Sequence, residues 1–343
     1  MEINQTKLAA LAGVSQNTVH RALHGMGGVS EQTRDKIRSL AHAYGYRLNS
    51  AARNMRTGRT GQVGVLVLDS PAHHYLRNPL LELIWGVNAG LEAADYVTSL
   101  VRLTDVDRDD AENAKIFREH LLDGVIVSNM LPDFLQQKIE RLVPRQVWLD
   151  TNVWREHGCV QRDEVRAGYL AAKALVQAGH RKIVYFLRPE AVGLHGQGTM
   201  LHYSGEARML GLHQAAGEAQ VEVVPFPVPD MDHFNTAGLE QLVDAGAGLF
   251  VRRMSEARRV ASLVLEGGLR GGWGQSRSVA CADDGAEVST WWPHLARVKF
   301  DRVAMGRLAA QMMVSLLGAD AEPPASQRIA DDFYAGKTIR PAP

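Results

Sequence analysis

From Gln62 to Ala282 the chain alternates between two local patterns, and that alternation limits its fold more than any other feature. Short apolar, β-branched runs such as Val63-Gly64-Val65-Leu66-Val67-Leu68 read as strands buried on both faces. The stretches between them carry apolar residues at helical spacing. The first series predicts strands at 63–68, 97–103, 124–127 and 146–149, with helices at 80–94, 110–122 and 133–142. The second predicts helices at 165–178, 205–219, 236–245 and 256–266, with strands at 182–187, 221–225, 248–251 and 278–282. Strands that alternate with helices form right-handed βαβ units on parallel sheets. The series occurs twice, with a boundary near Cys159–Arg162, so two similar doubly wound lobes with a cleft between them are expected. A ligand of such lobes sits at the carboxyl ends of the strands.

The region ahead of this pattern is different. Residues 6–23, TKLAALAGVSQNTVHRAL, read as two short helices around a tight turn. Leu8, Leu11 and Ala12 give the first helix an apolar face, with Thr6 as its expected N-cap and Gly13 as its stop. Val14 can plug the turn and Ser15 can cap the second helix, whose Val19, Ala22 and Leu23 point one way. Gln16, Asn17, His20 and Arg21 share the opposite face, a set suited to base edges in a DNA major groove. An ordinary two-helix corner with a polar surface has the same local pattern. A third helix follows, capped by Ser30, striped by Ile37, Leu40, Ala41 and Tyr44, and ended by Gly45. Residues 49–56 then form a one- or two-turn segment with Met55 among small and basic side chains, ahead of a Thr57-Gly58-Arg59-Thr60-Gly61 linker. It reads either as a disordered tether or as a hinge helix that orders on DNA and wedges Met55 into the minor groove.

Charge separates the same regions. The net charge is zero over 343 residues, yet residues 1–60 carry nine bases against three acids, which leaves a cationic head on an acidic body. Two cysteines far apart, Cys159 and Cys281, exclude a disulfide scaffold and a cysteine zinc site and suit a reducing cytosol. No signal peptide is read at the N-terminus, and no apolar run approaches a membrane span.

With these residues laid out, the chain resembles the LacI/GalR family of bacterial transcription regulators over nearly its full length. The resemblance rests on AGVSQNTVHRAL, VSEQTRDKI and GYRLNSAARNMRTGRTGQVGVLV in the head and hinge. In the core it rests on LLDGVIVS, QVWLDTN, AGHRKIVYF, RMLGL, ACADD and PHLARVKFDRVAMGRLAAQMM. It implies a helix-turn-helix DNA-binding domain at 1–48, a hinge helix and linker at 49–61, and a two-lobed, periplasmic-binding-protein-like core at 62–343. One lobe is expected from 62–160 plus 291–320, the other from 161–290 plus 321–343.

The resemblance further implies that Gln16, Asn17 and Arg21 face bases, and that Thr6, Ser15, Thr18, His20, Ser30 and Tyr46 lie on phosphates. Asn49 and Ala52 belong to the same DNA surface, and Met55 is its minor-groove wedge. His20 and Met55 stand where the family usually has serine and leucine. In the cleft it implies Asp150, Arg208 and Asp283 as effector contacts through charge-assisted hydrogen bonds. Arg253 and Arg302 stand where the family usually has other side chains. They point either to an anionic ligand, a sugar acid or sugar phosphate, or to loss of the usual contact.

The expected protein is therefore a cytoplasmic, nucleoid-associated homodimer on a double-stranded, pseudo-palindromic operator, controlled by a small sugar-like effector and without a membrane partner. A sugar-binding protein of the same two-lobed fold without regulatory DNA binding is the alternative. No catalytic set, cofactor motif or metal site is expected. Residues 105–110 lack the glycine and glutamate of a calcium loop, His73-His74 lacks a further ligand, and Gly193–Gly198 does not match a dinucleotide loop. Trp291-Trp292-Pro293 reads as packing or interface.

Overall fold

The computed structural model describes residues 3–46, 58–69, 79–104, 116, 119–128, 131, 133–187, 202–229, 235–265, 277–285, 288–318, 322–329 and 331–342. The chain divides into two units, Met1–Thr60 and Gly61–Pro343.

The first unit holds three helices, α1 (Gln5–Ala12), α2 (Gln16–Leu23) and α3 (Glu31–Ala43). Gly13 ends α1 in the left-handed region at φ 71°, and its N–H turns back to the Ala9 and Ala10 carbonyls. Ser15 accepts from the Thr18 amide at 3.1 Å and Ser30 from the Thr33 amide at 3.2 Å, as capping residues do. The cap of α1 is Asn4 rather than Thr6: the Asn4 amide oxygen accepts from Lys7 N at 2.9 Å, which places Thr6 inside the first turn. Leu8, Ala12, Val19, Ala22, Ile37 and Ala41 form the core. Leu11 and Tyr44 were expected on apolar stripes but are 45% and 53% exposed. Eight-residue helices meet their neighbours along a narrow line, and Tyr44 lies one step beyond the end of α3. Two cations do what the apolar stripes do not. Buried Arg34 donates to the Ala22 and Met26 carbonyls at 3.2 and 2.9 Å, and Lys36 reaches the Ala12 carbonyl at 3.0 Å. Lys36 thus caps the last carbonyl of α1, and Arg34 ties the end of α2 to the loop that follows it. Asn49, Ala52 and Met55 lie outside the described residues, as do His73-His74, residues 105–110 and Gly193–Gly198.

The second unit carries two six-stranded sheets. The first is built from β1 (Gln62–Asp69), β2 (Val97–Thr104), β3 (Gly124–Ser128), β4 (Gln146–Leu149), β5 (Cys159–Arg162) and β11 (Gln327–Ile329), in the order β11-β5-β4-β3-β1-β2, all parallel. The second is built from β6 (Lys182–Leu187), β7 (Glu222–Pro227), β8 (Gly248–Val251), β9 (Val279–Cys281), β10 (Ala296–Lys299) and β12 (Asp332–Tyr334), in the order β12-β10-β9-β8-β6-β7. Only its edge pair β10–β12 is antiparallel. The helices are α4 (Pro79–Glu92), α5 (Asp133–Leu142), α6 (Glu164–Gln177), α7 (Ser204–Glu218), α8 (Thr236–Asp244), α9 (Met254–Leu265), α10 (Val288–Trp291) and α11 (Arg302–Leu316).

The lobe boundaries differ from the expected ones. β5 belongs wholly to the first sheet, through Trp148↔Cys159. β10 pairs with β9 in the second sheet, through Ala296↔Ala280, although residues 291–320 were expected in the first lobe. β11 joins the first sheet, through Gln327↔Val160, although 321–343 were expected in the second. Strands of three or four residues carry too little pattern to announce a sheet, and their pairing partners assign them. The chain consequently changes lobes after β5, after β10 and after β11.

Each lobe is closed by a helix pair at glycine–glycine contact. A Cβ on Gly86 of α4 or Gly306 of α11 would overlap the Val303 or Leu83 carbonyl oxygen. The same holds for Gly168 of α6 and Gly211 of α7 against Arg208 and Val165. The second pair brings Arg208 down onto the start of α6. Trp291 and Trp292 pack half-buried on the second-lobe core.

Candidate functional site

On the head, Gln16 and Asn17 are exposed at the start of α2, and Thr18, His20 and Arg21 are half-buried along it. Ser15 and Ser30 sit at helix N-termini, where N–H groups and hydroxyls suit phosphate oxygens. Thr6 is exposed on α1, and Tyr46 is half-buried against the head core. Arg21 is not extended toward solvent. Its Nε donates to the Gly27 carbonyl at 2.8 Å and a terminal nitrogen shares that acceptor, so the loop after α2 holds the fork. The His20 and His24 rings lie 4.3 Å apart.

In the second unit, the structure brings four of the five expected effector residues into one buried ion-pair network. Asp150 follows β4 at φ 55°, a left-handed position that turns its side chain back. Its Oδ1 accepts from the Tyr203 hydroxyl at 2.7 Å and from Arg162 Nε at 3.3 Å. Arg208, on α7, makes a two-pronged contact with Glu164 at 2.6 and 2.9 Å, donates to Asp283 at 3.1 Å and also reaches the Arg252 carbonyl. Arg302, the first residue of α11, meets Asp283 at 3.3 Å, the Asp284 carbonyl at 2.9 Å and Glu82 at 3.7 Å. Arg162 closes the network on Glu164 at 2.9 Å and Asp283 at 3.5 Å. The guanidinium groups of Arg162, Arg208 and Arg302 lie 4.8, 5.8 and 5.4 Å from the Phe300 ring centre.

Burial opposes ionisation of both aspartates, but the arginines prevail. Arg162, His202 and the Tyr203 hydroxyl hold Asp150 well below the usual carboxylate range. Arg208, Arg302 and Arg162 hold Asp283 at about 2. Burial pulls His202 below the ordinary imidazole value. Within this network Asp150, Glu164 and Asp283 offset Arg162, Arg208 and Arg302, so Arg302 adds no uncompensated charge for an anion.

Arg253 lies on the wall of a cavity of about 470 Å³ in the second lobe. Tyr185, Leu187, Met209 and Leu210 supply apolar wall, and His202, Glu206, His213 and Arg252 supply polar groups. Sequence reasoning missed Arg162, Glu164, His202, Tyr203, Phe300 and Asp331. The one available signal was the charged triplet Arg162-Asp163-Glu164, placed where the strand–helix series restarts.

Comparison with known proteins places this arrangement. Residues 7–49 match the bacterial regulatory proteins of the lacI family, and residues 172–339 match the periplasmic binding protein-like domain. The chain is 28% identical over 223 residues to the HTH-type transcriptional regulator RegA of Clostridium saccharobutylicum, covering 64% of this chain and 62% of the relative. It is 25% identical over 221 residues to the sucrose operon repressor of Pediococcus pentosaceus, covering 64% and 65%. The chain thus spans just under two thirds of these relatives' length. Among solved structures, a Lac repressor dimer bound to operator and the anti-inducer ONPF superposes with a TM-score of 0.74 at 19% identity, covering 99% of this chain and 100% of that one. A CelR–cellobiose complex superposes with a TM-score of 0.64 at 20% identity, over 98% and 100%. At such identity the likeness establishes the fold. The chain thus carries, in this order, a head that matches the lacI family of bacterial regulatory proteins and a periplasmic binding protein-like domain.

Proposed function

We propose that this protein is a sequence-specific, DNA-binding transcriptional repressor that acts in the cytoplasm as a homodimer and answers to a small sugar-like effector. The observation that carries this reading is the capped helix pair of the cationic head, with Gln16 and Asn17 exposed at the leading end of α2. Amides read adenine edges, and the serine-capped helix starts of α2 and α3 suit flanking phosphates. Asn49, Ala52 and Met55 are further DNA contacts in this reading. Relatives named as a sucrose operon repressor and as the maltose regulon regulatory protein MalI of Escherichia coli support a sugar-responsive role. The relatives are named as regulators, which supports a regulatory rather than a catalytic role. Asp150, Arg208, Arg253, Asp283 and Arg302 are the residues through which an effector acts on the lobes. It does so by population shift, favouring one lobe arrangement and one spacing of the paired heads.

Fluorescence anisotropy with the duplex upstream of its own gene tests this. Specific binding should exceed binding to a scrambled duplex by at least about a thousandfold at moderate salt. Equal affinities for the two duplexes at that salt would overturn the reading.

Self-association is supported by exposed apolar side chains on the first lobe: Trp85 is 70% exposed on α4, and Leu81, exposed as well, stands one turn before it on the same helix face. Trp85→Asp is expected to convert the dimer to monomer at micromolar concentration in sedimentation velocity. An unchanged sedimentation coefficient would place the dimer contact elsewhere.

A further inference from the structure

We propose that the loop after α2 positions Arg21 for base reading. The Gly27 carbonyl holds one edge of the guanidinium, and glycine at 28 makes the room that leaves the other edge for a guanine. This deepens the regulatory reading and rests on it.

A guanidinium can form paired hydrogen bonds along either of two edges, Nε with Nη2 or Nη1 with Nη2. In Arg21 the first edge is taken. Nε donates to the Gly27 carbonyl at 2.8 Å, and Nη2 donates to the same oxygen. The Nη1–Nη2 edge keeps a hydrogen on each nitrogen, and two such donors match guanine O6 and N7. A carbonyl acceptor also leaves the positive charge in place, which a carboxylate would not. Gly28 is what lets the fork lie there. It stands at φ 81°, and a Cβ on it would come 2.5 Å from Arg21 Nη2 and 3.0 Å from Cζ. The guanidinium therefore fills the space that any other side chain at 28 would take.

The loop is itself fixed from α3. Buried Arg34 donates to the Ala22 carbonyl at 3.2 Å and to the Met26 carbonyl at 2.9 Å. The Met26 amide returns to the Arg21 carbonyl at 2.9 Å, so Gly27 follows a residue tied at both its N–H and its C=O. A free arginine side chain has many rotamers and gives them up on meeting a base. Here the fold restricts them beforehand, so less ordering cost remains for binding. The neighbouring glycines differ from Gly28. A Cβ on Gly25, at φ 67°, or on Gly27 would meet nothing within 4 Å among the described residues. Among these glycines, only that at 28 is required by Arg21.

The test selects half-sites from a randomised duplex library with the full-length protein. Fluorescence anisotropy then measures its affinity for the selected duplex and each single-base variant. The wild-type protein is expected to prefer guanine at one half-site position by at least about tenfold, the discrimination of one bidentate pair, and Arg21→Ala should remove that preference. Gly28→Ala should remove it too, at that position only, whereas an unfolded head would lose every preference. If Gly28→Ala does not fold, Gly28→Asn takes the left-handed backbone more readily and serves in its place. Adding Gly28→Ala to Arg21→Ala should change nothing further at that position. Gly25→Ala carries the strain of a left-handed position without touching Arg21, and Gly27→Ala keeps the accepting carbonyl; both should retain the guanine preference. Equal losses in Gly25→Ala and Gly28→Ala would overturn the proposal, because the loop would then act through its stability alone. Retention of the preference in the Gly28 variant overturns it as well, and so does a selected half-site in which no guanine depends on Arg21; the regulatory reading stands in both cases. If the wild-type protein selects no sequence at all, the regulatory reading itself fails.

Discussion

Arg208→Ala is expected to lower the stability of the second unit by about 3–5 kcal/mol, the range seen when one partner of a buried ion pair is removed. Arg208 is 1% exposed, and its guanidinium serves Glu164, Asp283 and the Arg252 carbonyl at once. Removing it leaves Glu164 to Arg162 alone, and Asp283 to Arg162 and Arg302. Arg208→Lys keeps the charge but cannot reproduce the planar fork, and an intermediate loss is expected. Urea denaturation at neutral pH measures both, read as a shift in midpoint at constant slope. A loss below about 1 kcal/mol for the alanine variant would mean that Arg162 and Arg302 neutralise the site unaided.

Asp331→Asn is expected to remove a pH dependence of stability of up to about 5 kcal/mol between pH 4 and pH 9. Asp331 lies between β11 and β12, at the third passage between the lobes, and is 2% exposed. Neither carboxyl oxygen has a hydrogen-bond partner among the described residues. Burial, with Glu164 and Asp163 nearby, raises its pKa to about 8, against the partial opposition of Arg162 and Arg208. The folded chain therefore keeps this proton where the unfolded chain has already released it. Over that interval the folded state binds more protons, so the contribution of Asp331 to stability falls as pH rises from about 4 to about 8, then levels off. Asp283, held at about 2, works in the opposite direction, its contribution being lost as pH falls toward that value. The difference between wild type and Asp331→Asn isolates the first effect. Urea midpoints at pH 5 and pH 8.5 should diverge in favour of the variant at the higher pH. A difference independent of pH would show that Asp331 ionises as an ordinary carboxyl.

Legibility in the sequence tracked the range of the interaction. Gly13, Ser15 and Ser30 were readable because a cap is decided within four residues, by a hydroxyl facing an amide or a backbone that needs positive φ. Strands β3, β4, β6 and β8 were readable because a strand buried on both faces writes an unbroken apolar run. Even short-range reading failed where two candidates competed: Asn4 and Thr6 are both cap formers, and only the path of the chain into α1 chose Asn4. Leu11 and Tyr44 fit a helical stripe, but the neighbouring helices do not cover them.

Sequence by itself therefore determined the head with its polar α2 face and the two strand–helix series behind it. The tertiary structure alone decided which sheet takes β10 and β11, and that Asp150, Arg208, Asp283 and Arg302 meet through Arg162 and Glu164. It also placed Arg302 in the buried ion-pair network and Arg253 on a cavity wall. The physical reason is the same in each case. A helix, a cap or a buried strand is specified by neighbours along the chain, whereas a charge takes its meaning from partners such as Glu164 and Arg208, 44 residues apart. Only the folded chain brings those partners within reach.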